Sequence, residues 1–353
     1  MLKKIISFVC ASIFVFSTFS FIGCGHTPNV QAEGIKNVIL FIGDGMGENH
    51  IANMLTYFGL KEPNFFANRV GSVATKSANN AVTDSAAAAT AMATGQKVNN
   101  YSVAMHKGEN LKSISELALS AGKKVGVVTT DKLNGATPAA FSSHARDRQE
   151  GHAITKGQAK SGIHLLMGES DDTFYRSYEE DFIENGYDVV NSSMDLQSAT
   201  NSEKIFATLP NIRSEYATGC EDHFQLMEML TFAMDFLEND NGYFLMIESA
   251  QIDKFSHSNY VVPALCEVRS MFDCVSYLYE NLPNDTALIV TADHESGGLQ
   301  KAENAEEIVN TLYTTREHTS ANVPLYIKNF TYKPNGTPQN TEIFQICKKL
   351  LGI

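Results

Sequence analysis

The polar residues that could perform chemistry fall into a few short clusters. Asp253 and His257 are four apart, which puts both on one face if the segment is helical. Asp293 and His294 are adjacent and follow an apolar run. Glu248 ends another such run, Asp44 follows a third, and His318 stands in a polar stretch. Singly, each has an ordinary alternative: a surface imidazole, a strand end reaching solvent, a common i, i+4 pair. Together they are four carboxylates and three imidazoles, a ligand set suited to Zn2+ and Mg2+. Carboxylates crowded together repel unless cations lie between them, and a site with more than one metal is a known solution for phosphoryl transfer.

Ser85 sits at the head of an alanine-rich stretch, Val82-Thr83-Asp84-Ser85-Ala86-Ala87-Ala88-Ala89-Thr90-Ala91. The alanines predict a helix. Ser85 would lie in its first turn, where backbone N–H groups and the helix dipole favour anions. The plain alternative is that Thr83 or Asp84 simply caps that helix.

The elements that must position these residues are apolar runs alternating with helical stretches. The run at 38–42 stops at Gly43-Asp44-Gly45-Met46-Gly47 and reads as a buried parallel strand with a tight turn after it. Helical stretches at 113–121, 175–185, 221–237 and 261–279 precede apolar runs at 125–129, 187–190, 243–247 and 287–290. The pattern predicts an α/β fold with a central, mostly parallel sheet and helices on both faces. Asp44, Glu248 and the Asp293-His294 pair then follow the carboxyl ends of three strands, where open α/β sheets bind ligands.

Composition bounds the rest. With 353 residues, 43% hydrophobic, the chain can bury a large core. The net charge of −13 argues against nucleic acid as a partner, but not against a small phosphorylated substrate next to bound cations. Residues 1–24 read as a bacterial secretion signal: Lys3 and Lys4, an apolar run, then Gly23-Cys24. Cys24 is the expected lipidation point, so the membrane partner is a lipid anchor only. Cleavage after Ala32 and an uncleaved anchor are the alternatives, and all three readings export the domain. A linker is expected at 25–34 and one catalytic domain at 35–353. Cys220, Cys266, Cys274 and Cys347 form no CxxC pair, and unpaired structural thiols are expected. Cys266 and Cys274, if on one straight helix, lie too far apart to bridge.

Six segments, in order, resemble the alkaline phosphatases. They are Phe41-Ile42-Gly43-Asp44-Gly45-Met46-Gly47, Val82-Thr83-Asp84-Ser85-Ala86-Ala87, Ala136-Thr137-Pro138-Ala139-Ala140 with Arg148 downstream, Glu248-Ser249-Ala250-Gln251-Ile252-Asp253-Lys254 with His257, Thr291-Ala292-Asp293-His294-Glu295, and His318-Thr319. The likeness spans residues 36–330. It implies a phosphate monoesterase of broad specificity with Ser85 as nucleophile, two Zn2+ and one Mg2+. By the resemblance, one zinc takes Asp253, His257 and His318. The other takes Asp44, Asp293, His294 and the Ser85 oxygen. Magnesium takes Asp44, Glu248 and Thr137. Arg148 matches the phosphate-clamping arginine, with Arg146 as its rival. Lys254 matches a variable position that contacts phosphate, a surface lysine being the alternative. Asp84 is expected to orient the Ser85 turn.

Two departures qualify the resemblance. Gly135 stands where many relatives carry Asp or His beside the third metal. Only 23 residues separate His294 from His318, too few for the large surface insertion of some relatives. A homodimer is compatible with the family, but an interface built on that insertion is not expected. The competing functions are a phosphodiesterase or sulfatase of the same superfamily, and a non-catalytic cell-surface binding protein.

Overall fold

The structure, a computed structural model, describes residues 28–199, 201–216 and 225–353. The expected leader, with Cys10 and Cys24, lies outside the described residues, as does Cys220.

Apolar runs build the centre of the molecule. Among the described residues one sheet has nine strands: β1 (Asn37–Gly43), β2 (Arg69–Val73), β3 (Lys124–Thr129), β4 (Leu165–Glu169), β5 (Asp188–Val190), β6 (Ile205–Leu209), β7 (Tyr243–Ser249), β8 (Thr286–Ala292) and β9 (Val323–Lys328). Their order across the sheet is β2-β9-β8-β1-β7-β3-β4-β6-β5. Only β9 runs against its neighbours; the other adjacent pairs are parallel. β1, β7 and β8 are buried along their whole lengths, because helices cover both faces of a parallel sheet.

The helices that frame the site are α1 (Glu48–Tyr57), α2 (Ser85–Thr94), α3 (Ile114–Ser120), α4 (Ala136–Ser142), α5 (Leu226–Leu237), α6 (Gln251–His257), α7 (Val261–Asn281) and α8 (Thr341–Leu351). One group packs α2 with α3, α4 and α8; another packs α7 with α1, α5 and α6. Helix α3 starts as its sequence dictates: Ser113 accepts from Glu116 N, and Glu116 returns a bond to Ser113 N. In α2, residues 85–93 are all buried. Its alanines therefore serve close packing as well as helix propensity, since a helix buried on every side has no polar face.

The expected α/β architecture is present, and the structure corrects several details. The stretch at 175–185 is not one helix. It is a helical turn, Asp172–Tyr175, a tighter 3-10 turn, Arg176–Tyr178, and a short helix, Glu179–Glu184. Tyr175, Tyr178 and Phe182 all turn inward. Helix α5 begins at Leu226, so the expected start at 221 falls outside the described residues. Strands β2, β4, β6 and β9 have no counterpart in the sequence reading. β9 contains Pro324, which argues against a strand. It pairs with β8 only over residues 326–328, so the missing Pro324 N–H interrupts nothing there. The end of the expected linker is not free chain: Asn29–Gln31 pairs antiparallel with Thr331–Lys333, and Val30 is buried. Cys266, Cys274 and Cys347 are free and buried.

Glu267 on α7 is a buried carboxyl outside the site. Burial pushes it up to about 7, against a hydrogen bond from Ser214 N and the Arg213 charge. Its folded value lies above its unfolded one, so its stabilising contribution is present at low pH and lost as pH rises through about 7. Glu267→Gln keeps an acceptor for Ser214. It is expected to raise Tm by a few degrees at about pH 8.5 and to leave it unchanged at about pH 4.5, as calorimetry of both proteins would show.

Candidate active site

The parallel register of β8, β1, β7 and β3 assembles the site. Gly43 lies between Ala292 on one side and Ser249 on the other. Asp44 and Asp293 are therefore the next residues beyond one row, and the Asp44 N–H is anchored on Ser249 O at 3.0 Å. Glu248 does not follow its strand, as the sequence suggested; it is paired within β7, directly across from Thr129 of β3. That register aims the Thr129 hydroxyl at Glu248 Oε2.

Two ligand groups form. Asp253 and His257 share a face of α6, and His318 joins them from a short strand, His318–Thr319. His257 Nε2 lies 3.0 Å from His318 Nε2 and 3.3 Å from Asp253 Oδ2, and His318 Nε2 lies 3.5 Å from Asp253 Oδ1. Around His294 Nε2 gather Ser85 Oγ at 3.1 Å, Asp293 Oδ2 at 3.1 Å and Asp44 Oδ1 at 3.4 Å. Asp253 also reaches this second group: ligand atoms of Asp44, Asp253 and His294 all lie within 4.8 Å of one another. Ligands at zinc bond lengths on a tetrahedron are about 3.3 Å apart, so both groups have the spacing of ligands that share an ion.

The hydrogen bonds around the imidazoles favour a cation as well. His318 Nδ1 contacts Thr83 O at 2.9 Å, and His257 Nδ1 contacts Arg316 O. A carbonyl can only accept, so each Nδ1 carries the proton and each neutral ring presents an Nε2 lone pair inward. Two lone pairs 3.0 Å apart need a proton or a metal between them. Accordingly His257 is pushed up to about 9, first by its bond to Asp253, while burial holds His318 down to about 4.

The carboxylates tell the same story. Burial, then Asp293, Asp253 and Glu248, push Asp44 well above the usual carboxylate range. Burial raises Asp253 too, but its bond to His257 and the charges of His294 and His318 outweigh that and hold it low. Glu248 is pushed up to about 7, chiefly by burial and against the Thr129 bond. Asp44 Oδ1, Asp293 Oδ2 and Thr137 Oγ1 are buried without a hydrogen bond. Thr137 still lies near enough to Glu248 to lower its carboxyl. Native interiors rarely orphan such atoms. These residues fit divalent cations: nitrogen and oxygen donors for zinc, and the all-oxygen set of Asp44, Glu248 and Thr137 for magnesium.

Ser85 is the first residue of α2, and Asp84 is its N-cap. Asp84 Oδ1 accepts from Ala87 N at 3.0 Å and Tyr101 N at 3.1 Å, and Oδ2 accepts from Arg148 Nη1 at 3.2 Å. Asp84 thus orients the Ser85 turn, as expected, and also ties Arg148 to it. Arg146 is exposed and lacks this tie, which favours Arg148 as the clamp. Lys254 pairs with Asp131 at the end of β3. The sequence reading missed Thr129, Asp131 and Ser296, which donates to Asp253 and lies 3.3 Å from His294 Nδ1. For Thr129 and Asp131 the strand-end rule was a usable signal; nothing in the sequence singled out Ser296.

A mostly parallel sheet whose strand ends gather carboxylates, imidazoles and a helix-borne serine defines a metal-binding hydrolase. The family model described as "Alkaline phosphatase" matches residues 35–170 and 176–348, and the chain belongs to the alkaline phosphatase family. It is 30% identical over 337 residues to alkaline phosphatase 4 of Bacillus subtilis, covering 87% of this chain and 72% of that protein. It is 26% identical over 407 residues to the alkaline phosphatase of Escherichia coli, covering 90% and 86%. Among solved structures, a variant of the TAB5 alkaline phosphatase with Mg bound in the M3 site superposes with a TM-score of 0.80 at 27% identity, covering 91% of this chain and 99% of that one. The Thermus thermophilus enzyme shares the fold at TM-score 0.80 and 22% identity, covering 92% and 93%. The chain is an alkaline phosphatase, an enzyme acting on phosphate monoesters.

Gly45 offers a direct check on the geometry. Its φ is +74°, its N–H donates to Asp293 Oδ1 at 3.1 Å, and a Cβ there would lie 2.9 Å from Asp253 Cα. Gly45→Ala is strained and pushes Asp253 aside. Turnover of p-nitrophenyl phosphate should fall about 100-fold while circular dichroism stays that of the folded protein.

Proposed function

We propose that the chain hydrolyses small phosphate monoesters through a phosphoserine on Ser85, with broad specificity and release of inorganic phosphate. The carrying observation is the Ser85 hydroxyl at the head of α2, 3.1 Å from His294 Nε2, with Arg148 tied to the adjacent Asp84. Two zinc ions are assigned to Asp253, His257 and His318, and to Asp44, Asp293, His294 and Ser85. Magnesium is assigned to Asp44, Glu248 and Thr137. When bound, such ions neutralise phosphate charge, make a hydroxyl nucleophilic near neutral pH and stabilise a leaving oxygen.

Ser85 gives up its hydroxyl proton to solvent, Oγ attacks phosphorus in line as the bond to the leaving-group oxygen breaks, and that oxygen takes a proton from water. Arg148 offers two parallel N–H donors to non-bridging oxygens, and Asp84 keeps that fork in place. The positive end of α2 favours the same charge. A water oxygen then loses a proton and attacks the phosphoserine, the P–Oγ bond breaks, Ser85 Oγ regains a proton and phosphate leaves. Asp293 receives the Gly45 and His294 N–H groups on Oδ1, at 3.1 and 2.8 Å, which keeps its other oxygen facing the serine side. Lys254 on α6, paired with Asp131, is assigned to a phosphate contact.

The residues at 1–24 are assigned to export, with a lipid anchor at Cys24 on the cell surface or facing the periplasm. No helix among the described residues is long and apolar enough to cross a membrane. Cleavage after Ala32 is the less favoured site, because it would remove the strand Asn29–Gln31 from its pairing.

Ser85→Ala should lose at least ~1,000-fold in kcat and fail to trap radiolabelled phosphate after an acid quench. Wild-type turnover in that variant would sink the mechanism. Chelation should abolish activity, and zinc with magnesium should restore it. Comparison of p-nitrophenyl phosphate with its bis ester should favour the monoester; faster diester turnover would reassign the enzyme as a phosphodiesterase.

A further inference from the structure

Ser256 lies on α6 between Asp253 and His257 and is wholly buried. Its hydroxyl has three partners: His50 Nε2 at 2.9 Å, Ile252 O at 2.8 Å and the Tyr313 hydroxyl at 3.0 Å. Chemistry fixes the direction of each bond. The Gly47 N–H donates to His50 Nδ1 at 3.2 Å, so the neutral ring carries its proton on Nε2 and donates it to Ser256. Burial keeps that ring neutral by holding His50 down to about 4. The Ile252 carbonyl can only accept, so the Ser256 proton points there. Tyr313 then donates to the lone pair that remains. A hydroxyl has one donor and two acceptor positions, and Ser256 has filled them all.

His50 and Tyr313 bring two distant segments to α6. Gly47 and His50 follow the turn that carries Asp44 and Gly45. Tyr313 opens the stretch that carries Arg316 and His318. It is buried, whereas residues 314–320 are exposed or half-buried, so Tyr313 is the inner anchor of that stretch. Its ring covers Gly297, where a Cβ would collide with it. Arg316 O in turn meets His257 Nδ1. The ligands need such an anchor. His257 and His318 are 61 positions apart in the chain, yet their Nε2 atoms stand 3.0 Å from each other. We propose that Ser256 is a positioning residue for the ion assigned to Asp253, His257 and His318: its hydroxyl, joined to His50 and Tyr313, sets the spacing between α6 and the segment that delivers His318. Ser256, His50 and Tyr313 spend their polar atoms on one another and on backbone groups, so they act through the ligands beside them. The inference rests on the zinc assignment above.

Tyr313→Phe keeps the ring over Gly297 and removes one donated bond. Ser256→Ala removes all three. The measurements are the affinity for each of the two zinc equivalents, by competition with a chromophoric chelator, and the Tm of the zinc-free protein. In Tyr313→Phe one zinc equivalent should bind about 10-fold more weakly and the other as in wild type. Ser256→Ala should weaken the same equivalent by up to about 100-fold. The double variant Ser256→Ala/Tyr313→Phe should be no weaker than Ser256→Ala alone, the mark of residues acting as one unit. Three results would overturn the proposal: unchanged affinity for both equivalents whatever the zinc-free Tm, equal weakening of both, or fully additive losses in the double variant. Tyr313→Phe decides the matter should Ser256→Ala not fold. Wild-type protein that takes up fewer than two zinc ions would refute the zinc assignment itself, and this inference with it.

Discussion

Mutual repulsion among buried carboxylates is the constraint on which this site depends. Asp44, Asp253, Asp293 and Glu248 are each at least nine-tenths buried. Two unit charges within 4.8 Å of each other, the spacing of Asp44 and Asp253, repel by roughly 3–4 kcal/mol at an effective dielectric near 20. The three imidazoles offset only part of that. Two of them point lone pairs at each other, and Asp44 Oδ1, Asp293 Oδ2 and Thr137 Oγ1 lack hydrogen bonds. Without cations the arrangement is costly on three counts: like charges, facing lone pairs and orphaned oxygens. Divalent ions would relieve all three at once, and they would also supply the electrostatics that phosphoryl transfer needs.

The rest of the molecule holds those groups in place against their repulsion. β8, β1 and β7 are hydrogen-bonded side by side and buried on both faces. Their carboxyl ends cannot drift apart without breaking the sheet. Backbone groups then fix individual ligands: Gly45 N on Asp293, Thr83 O on His318, Arg316 O on His257. Small residues make the close approaches possible. Gly45 lies against Asp253, and the alanines of α2 let that helix bury itself beside α4 and α8 with Ser85 at its mouth. Exposure is graded across the site: His294 and Asp293 are wholly enclosed, whereas His257 is partly open.

Much of this was legible in the sequence, for local reasons. Apolar runs of four or five residues marked β1, β7 and β8, since a strand buried on both faces has little freedom in composition. The residues that the structure gathers into two ligand groups were readable because metal chemistry restricts residue type, and because Asp253 and His257 sit one helical turn apart. Ser85 was distinguished from an ordinary helix start by the ligands elsewhere in the chain. Strands β2, β4, β6 and β9 were not legible. They are short, or interrupted by Gly71, Gly168 or Pro324, and their strand character comes from the neighbours they pair with.

The sequence alone thus determined which chemical groups are present and on which kinds of element they ride. The tertiary structure decided which groups meet. Thr129 faces Glu248 because of a parallel register between strands 119 positions apart. Asp131 pairs with Lys254 because β3 ends beside α6. Asp84 proved to be a junction between Ser85 and Arg148 as well as a helix cap. Local sequence encodes propensity and donor type over a few residues. Contacts between distant segments are set by strand order, register and packing, and these are settled only when the whole chain has buried its core.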